Sequence, residues 1–396
     1  MKWRDWVQRY TYTAIIALNF VVFLIALNGL AWLVLRLLPE QPPPLAHKPT
    51  PGYVSPVVRA YGYDTIRSRY PTLSDDAFKL LMWETWTRQY AYEPYTDFAE
   101  KAFEGTYVNV AAAGFRVGRE QGPWPPAAEN FNVFLFGGST TFSYGLSDGE
   151  ALGSALQQAL HTARPVKIYN FGRAYYFSTP ERILFESLLN QGFVPDAAIF
   201  VDGFNDFFFT SGLPADFEKL AAAVPGKEPR SPAQLWLRDL AFTRLLRRLT
   251  EEPPGNAGGE SSETKIADPS GGLSETSNID RVIQRYLGNK KLEQAAADAF
   301  GVRALFVWQP VPAYRHQHEE VLTKNLGNYM LSGKGYAVFR TYLNQKPPGA
   351  NFAWCADVLE GATGVLYVDA VHYSPRAIEL LTQCIQKSAE TSGLLR

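Results

Sequence analysis

The run from Tyr12 to Leu35 constrains this chain more than any other feature: it carries no charged residue and is dense in Ile, Leu, Val and Phe. As a helix it would be roughly 36 Å long, against a bilayer hydrocarbon core of about 30 Å. A secretory signal has a shorter apolar region and a small-x-small cleavage site, neither of which is evident. Only Asn19 and Asn28 interrupt the run with strong polarity. The segment 11–38 is therefore read as an uncleaved single-pass transmembrane helix, with a long signal peptide or a buried helix as the alternatives. Lys2, Arg4 and Arg9 precede it, and Arg36 and Glu40 follow. The positive-inside bias then keeps residues 1–10 as a cytoplasmic tail and sends the rest across the membrane.

Residues 39–60 form a Pro-rich linker holding Pro42, Pro43, Pro44, Pro49, Pro51 and Pro56, which favours extended, semi-rigid geometry. An aromatic-rich stretch, 61–126, follows, with Trp83, Trp86, Tyr90 and Phe98 among its rings. Within it Asp75–Arg88 reads as a helix capped by Ser74, and the whole stretch reads as a cap packed on the main domain. Balanced charge, Lys+Arg 38 against Asp+Glu 39, provides no field to gather phosphates, so nucleic-acid binding is disfavoured. Two cysteines exclude a disulfide-dense miniature scaffold and an all-cysteine zinc site.

The remainder, 127–396, alternates strands with helices. Strands are expected at Asn132–Phe136, Val166–Phe171, Ala197–Val201, Ala304–Trp308 and Val365–Val368. Helices are expected at Glu150–His161, Pro180–Asn190, Arg281–Phe300 and Pro375–Ser388. That order indicates an α/β fold with a mostly five-stranded parallel sheet between two helical layers. An insertion occupies about 211–280. Its Ala233–Leu249 portion is an amphipathic helix with a basic face, suited to docking on the domain or to anionic lipid. Its Glu251–Asn278 portion is rich in Gly, Ser, Pro and Glu and is expected to be a loop.

In an open parallel sheet, ligands bind beyond the C-terminal ends of the strands. Ser139 follows the first strand in Gly137-Gly138-Ser139-Thr140, and Gly172 follows the second. Asn205 and Asp206 follow the third in Gly203-Phe204-Asn205-Asp206, and Asp369 and His372 follow the last. These parts suit acyl transfer. A serine hydroxyl becomes nucleophilic when a histidine takes its proton, and an aspartate three residues before that histidine can fix its tautomer. The backbone amides of Ser139 and Gly172 and the side-chain amide of Asn205 are the expected oxyanion donors. Gly138, Phe204, Asp206 and Gln309 are candidates for the substrate pocket, with core packing the rival for Phe204 and bracing of the Asn205 loop the rival for Asp206. The role of Gln309, at the end of the fourth strand, stays open. His316-Gln317-His318-Glu319-Glu320 reads as a solvated loop rather than a metal site, because no further ligand is near in sequence.

These four blocks resemble the SGNH (GDSL-type) hydrolase superfamily, over roughly 130–390. Ser139 matches its nucleophile, Gly172 its second block, Asn205 within Gly-x-Asn-Asp its third, and Asp369-x-x-His372 its last. The first block departs from the usual Gly-Asp-Ser, with Gly138 in the aspartate position, as in membrane-linked bacterial relatives carrying Gly-Gly-Ser-Thr. The resemblance implies a flavodoxin-like fold and no metal or organic cofactor.

The expected activity is therefore that of a membrane-anchored serine esterase. Its domain would be periplasmic or otherwise extracytoplasmic, and its substrate an acylated glycan, lipid or similar envelope ester. An O-acyltransferase on surface glycans using the same site, or a non-catalytic binding module, are the alternatives. No protein partner is legible. Cys355 is expected in a helix before the last strand and Cys384 in the final helix. An oxidising compartment and the even count suggest a bond between them, the alternative being two buried thiols.

Overall fold

The structure is a computed structural model that describes residues 3–37, 52–93, 95–210, 240–250, 274–315 and 329–396. The His316–Glu320 cluster, most of the Pro-rich linker and most of the insertion lie outside these residues. The chain divides into two compact units: Met1–Ala46 with Glu228–Gly255, and His47–Lys227 with Asn256–Arg396.

In the first unit, helix α1 (Trp3–Leu37) contains Arg9–Leu37, a 29-residue apolar stretch. It is apolar on all sides and long enough to cross a membrane. A shorter helix, Ala241–Thr250, packs on it, the Phe242 amide donating to Asn28 Oδ1 (3.1 Å).

The second unit opens with helices α2 (Pro56–Tyr61), α3 (Tyr63–Arg67) and α4 (Asp75–Trp86). Ser74 Oγ caps α4 by accepting the Ala77 amide, and Asp75 and Asp76 complement the helix's positive end. The helix stops two residues before the expected Arg88, because the chain turns into an antiparallel hairpin of β1 (Tyr90–Glu93) and β2 (Asp97–Glu100). This hairpin was not legible in the sequence. Phe78, Leu81, Phe98, Val108 and Phe115 from this region share one apolar core with the main sheet. Polar bonds reinforce the junction. Glu84 accepts the amides of Thr106, Tyr107 and Val108. The buried Arg116 guanidinium donates to the carbonyls of Phe142, Ser143 and Leu146 and pairs with Asp148.

The main sheet and its helices follow in the order β3 (Phe131–Gly137), α5 (Ser139–Phe142), α6 (Leu152–Ala159), β4 (Val166–Asn170), α7 (Ser178–Asn190), β5 (Ala197–Asp202) and α8 (Phe204–Phe208). Then come α9 (Glu275–Phe300), β6 (Arg303–Trp308), α10 (Met330–Gln345), β7 (Phe352–Trp354) and α11 (Pro375–Ser392). The five strands are all parallel in the order β4-β3-β5-β6-β7. The expected parallel α/β sheet is thus present. Every residue of β3 and β5 is buried, the continuous apolar signature of a sheet covered on both faces.

Two expectations about the sheet domain are corrected, and one helix is added. The fifth strand is Phe352–Trp354, paired with Phe306–Trp308, and not Val365–Val368. A three-residue run carries no periodic signal, whereas Val368 bonds within its own loop through its amide to His372 O (2.8 Å). Helix α9 starts at Glu275 rather than Arg281, because Ser274 Oγ accepts the Ser277 amide and caps it within the polar stretch read as loop. Helix α10 was not anticipated.

Cys355 follows β7 directly instead of lying in a helix, and Cys384 lies on α11; the two form a disulfide closing a separation of 29 residues. In the chain-entropy model such a loop contributes about 3–4 kcal/mol. Intact-mass analysis after alkylation without reductant is expected to find no modified thiol. Reduction should lower the denaturation free energy by about that amount, and two alkylated cysteines in unreduced protein would refute the bond.

Candidate active site

The strand order reverses where β3 leaves β4 on one side and β5 on the other, which opens a crevice beyond the C-terminal ends of β3 and β5. Ser139 is the first residue of α5, just beyond β3, and Asn205 lies at the start of α8, just beyond β5.

Two glycines make the turn after β3. A Cβ on Gly137 would lie 2.0 Å from Thr141 Oγ1, and one on Gly138 would lie 2.4 Å from Asn205 Nδ2 and 3.0 Å from Tyr176 O. Close approach therefore forces glycine at both positions. At Gly138 the carboxamide of Asn205 occupies the space a side chain would need.

Ser139 Oγ is 3.0 Å from His372 Nε2, and His372 Nδ1 is 2.7 Å from Asp369 Oδ2. The other carboxylate oxygen, Asp369 Oδ1, accepts the amides of Val371 (2.9 Å) and His372 (2.8 Å). Asp369 therefore fixes the imidazole and the backbone carrying it. With Nδ1–H donating to the carboxylate, Nε2 is left to accept the Ser139 hydroxyl proton. Burial by itself raises the Asp369 pKa. The His372 charge, the hydrogen bond to it and the two amides outweigh burial and hold the carboxyl below its ordinary value. It is the ionised form that can stabilise an imidazolium.

The three expected oxyanion donors differ in their surroundings. The Ser139 amide opens α5, where a helix offers no internal acceptor. Asn205 Nδ2 donates one hydrogen to Tyr176 O (2.7 Å), and a carboxamide carries two. The Gly172 amide instead donates to Asn170 Oδ1 (2.9 Å), whose Nδ2 donates to Thr141 O (2.8 Å). Gly172 is thus committed to holding the end of β4 against α5. That local Asn-x-Gly bond could not be weighed from spacing alone.

The four pocket candidates separate similarly. Gly138 borders Ser139 and Asn205. Asp206 is buried and structural, with Oδ1 accepting Ser178 Oγ (2.6 Å) and Oδ2 the Gly203 amide (3.2 Å). Phe204 is buried and stacks on Tyr329, with ring centroids 4.5 Å apart, so it packs the loop interior. Gln309 is buried and takes hydrogen bonds from Thr140 and Tyr373. Asp206, Phe204 and Gln309 are too enclosed for the substrate contact expected of them.

Sequence reasoning missed the walls of the histidine. Trp86 and Tyr144 meet the His372 ring edge-on, at 5.7 Å and 5.5 Å between centroids. Tyr144 OH donates to Glu100 Oε1 (2.6 Å), and Arg88, with both charges buried, faces the other oxygen of Glu100 at 3.5 Å. Two rings packed on an imidazole restrict its orientation and exclude water from one side. Trp86 belongs to the aromatic-rich region, but no spacing marked it as a neighbour of a residue so far along the chain.

Behind the site lie three buried carboxyls without a hydrogen-bond donor: Glu181 on α7, Asp202 at the end of β5 and Glu293 on α9. Glu181 and Asp202 face each other, so a proton on one makes it a donor to the other. Burial first, then the neighbouring carboxylates, Asp206 foremost for Glu181 and Glu293, push all three pKa values well up. A group whose pKa is raised on folding contributes its stability below the unfolded value, about 4 for a carboxyl, and loses it as pH rises toward the folded value. Stability should therefore decline above pH 5 by up to ~1.4 kcal/mol per pH unit for each group still protonated. Glu293→Gln should flatten that decline and raise the melting temperature at pH 8. Parallel melting curves for wild type and variant from pH 5 to pH 9 would refute this account.

Several solved structures are similar to this chain. A putative lipolytic protein of the G-D-S-L family from Desulfitobacterium hafniense shares 12% identity over 65% of this chain and 99% of that chain, with TM-score 0.36. The lipase Lip_vut3 from a goat rumen metagenome shares 12% identity over 65% of this chain and 97% of that chain, with TM-score 0.39. The C-terminal catalytic domain of Streptococcus pneumoniae peptidoglycan O-acetyltransferase A shares 11% identity over 67% of this chain and 96% of that chain, with TM-score 0.30. No family model matches the sequence, and no curated protein matches it. With likeness this distant, the functional reading rests on the chain's own geometry.

Proposed function

We propose that this protein is a membrane-anchored serine esterase of the SGNH type, cleaving carboxylic esters through an acyl-serine intermediate. The observation that carries the reading is the continuous line from Ser139 Oγ to His372 Nε2 (3.0 Å) and from Nδ1 to Asp369 Oδ2 (2.7 Å). Ser139 Oγ attacks the ester carbonyl as His372 takes its proton. The tetrahedral oxyanion is received by the Ser139 amide and the second N–H of Asn205. Collapse expels the alcohol, which takes the proton from His372. Water then enters, loses a proton to His372 and adds to the acyl carbonyl; collapse releases the carboxylic acid as His372 returns the proton to Ser139 Oγ.

Ser139→Ala and His372→Ala are expected to abolish turnover of an activated ester while leaving the fold intact. Asp369→Asn should cost less than either, because the base remains and only its tautomer and orientation are disturbed. Asn205→Ala should slow turnover by roughly 10²–10³-fold, about 3–4 kcal/mol of barrier. Steady-state kinetics on a panel of short- and long-chain esters checks this, and full activity in Ser139→Ala would end the reading. An acylated product in the presence of a glycan acceptor would move the assignment from hydrolysis to transfer, which uses the same residues.

The anchor reading rests on α1 and on charge. Lys2, Arg4 and Arg9 lie ahead of the apolar stretch and Arg36 beyond it, which favours a cytoplasmic N-terminus and an exported domain. The disulfide between Cys355 and Cys384 supports an oxidising compartment. Export would place the site among envelope esters such as acylated glycans or lipids. A phosphatase reporter fused after Pro56 is expected to be active and a cytoplasm-dependent fluorescent reporter dark; the reverse pattern would overturn the orientation.

A further inference from the structure

We infer that Gln309 is a positioning residue that sets the Ser139–His372 pair, by tying together the residues that follow each of them. The inference rests on the acyl-serine reading above.

Gln309 stands one residue beyond β6 and is 2% exposed. Its backbone is anchored on both sides: its amide donates to Asp202 O (3.1 Å) at the end of β5, and its carbonyl accepts Tyr336 OH (2.9 Å) from α10. The side chain reaches into the gap between two loops. Oε1 accepts Thr140 Oγ1 at 2.7 Å and Tyr373 OH at 2.9 Å. Nε2 lies 3.5 Å from Val201 O. A carbonyl oxygen has two lone pairs, and here both are directed at hydroxyls.

Thr140 is the neighbour of Ser139 and Tyr373 the neighbour of His372. The contacts therefore close a ring: Ser139, Thr140, Gln309, Tyr373, His372 and back to Ser139 through the 3.0 Å bond between Oγ and Nε2. Thr140 and Gln309 are 169 positions apart and Gln309 and Tyr373 are 64 apart. Ser139 lies on a helix turn fixed by β3 and His372 on an irregular loop ahead of α11, and no strand pairing joins those two segments. The Gln309 carboxamide joins them directly. The one Tyr373 hydroxyl proton is shared between Gln309 Oε1 and the closer Pro310 O (2.5 Å), so both acceptors anchor its side of the ring to the same segment. Loss of the carboxamide frees the Thr140 hydroxyl and leaves Tyr373 held by Pro310 O alone, so the two segments are no longer tied through one oxygen. A displacement of about 1 Å between reacting groups costs on the order of 10²-fold in rate.

The test uses the full chain in detergent micelles and a fluorophosphonate probe, which reports the reactivity of Ser139 whatever the natural ester. Gln309→Met and Thr140→Val are expected to slow labelling by about 10–100-fold at an unchanged half-saturating probe concentration. The double variant should be no slower than the slower single one, because both break the same ring. Thr140→Ser, which restores the hydroxyl, should return the rate to within about threefold of wild type. A loss of fold alone would lower the labelled fraction without changing the rate of the protein that labels, so the rate constant isolates positioning from stability. Wild-type rates in folded Gln309→Met and Thr140→Val would overturn the inference while leaving the esterase reading intact. A folded wild type that does not label at Ser139 would overturn the esterase reading, and the inference with it.

Discussion

The reversal of strand order around β3 is the constraint on which the site depends. With β4 on one side and β5 on the other, the loops leaving β3 and β5 diverge, and Ser139 and Asn205 meet across the crevice between them. The approach is close enough that Gly138 has no room for a side chain. Everything else adjusts this contact: Asp206 holds the Asn205 turn to Ser178 and Gly203, Asn170 holds the end of β4 to α5, and Asp369 locks the loop that delivers His372.

The aromatic-rich region ahead of the sheet is continuous with the core and contributes directly to the site. Arg116 satisfies three carbonyls in the turn after α5, so the nucleophile's helix is held from outside the α/β fold. Trp86 and Tyr144 pack on His372, and the Tyr144 hydroxyl is in turn held by Glu100 beside Arg88. A buried Arg–Glu pair offers little net stability, but breaking it by removing one partner leaves an uncompensated charge costing about 3–5 kcal/mol. The region is thereby tied to the base more tightly than a detachable lid would be.

The buried carboxyls behind the site show a different balance. Glu181, Asp202 and Glu293 gain no donor from the surrounding fold beyond the facing of Glu181 and Asp202, and burial pushes their pKa values well up. Asp206, a few ångströms along the same framework, is fully engaged by Ser178 and Gly203. Carboxyls of similar burial thus differ in the hydrogen-bond donors the fold gives them.

The sequence by itself sets the apolar helix, the parallel α/β class and the strand ends where Ser139 and Asn205 stand, and it groups Asp369 with His372 ahead of the last helix, on what proves to be an irregular loop rather than a strand end. Each of these follows from local pattern: an uncharged run, buried strands written as continuous apolar stretches, and Gly, Asn or Asp where a strand gives way to a turn. Tertiary structure decided what depends on distance through space. The fifth strand is only Phe352–Trp354 because β6 offers it an edge. Gly172 looks like an oxyanion donor until Asn170 Oδ1 takes its amide. Gln309 looks like a residue at a strand end until Thr140, 169 positions away, and Tyr373 converge on its one oxygen. Periodicity records which face of an element is buried, but which side chain finds which acceptor is set only when the elements pack.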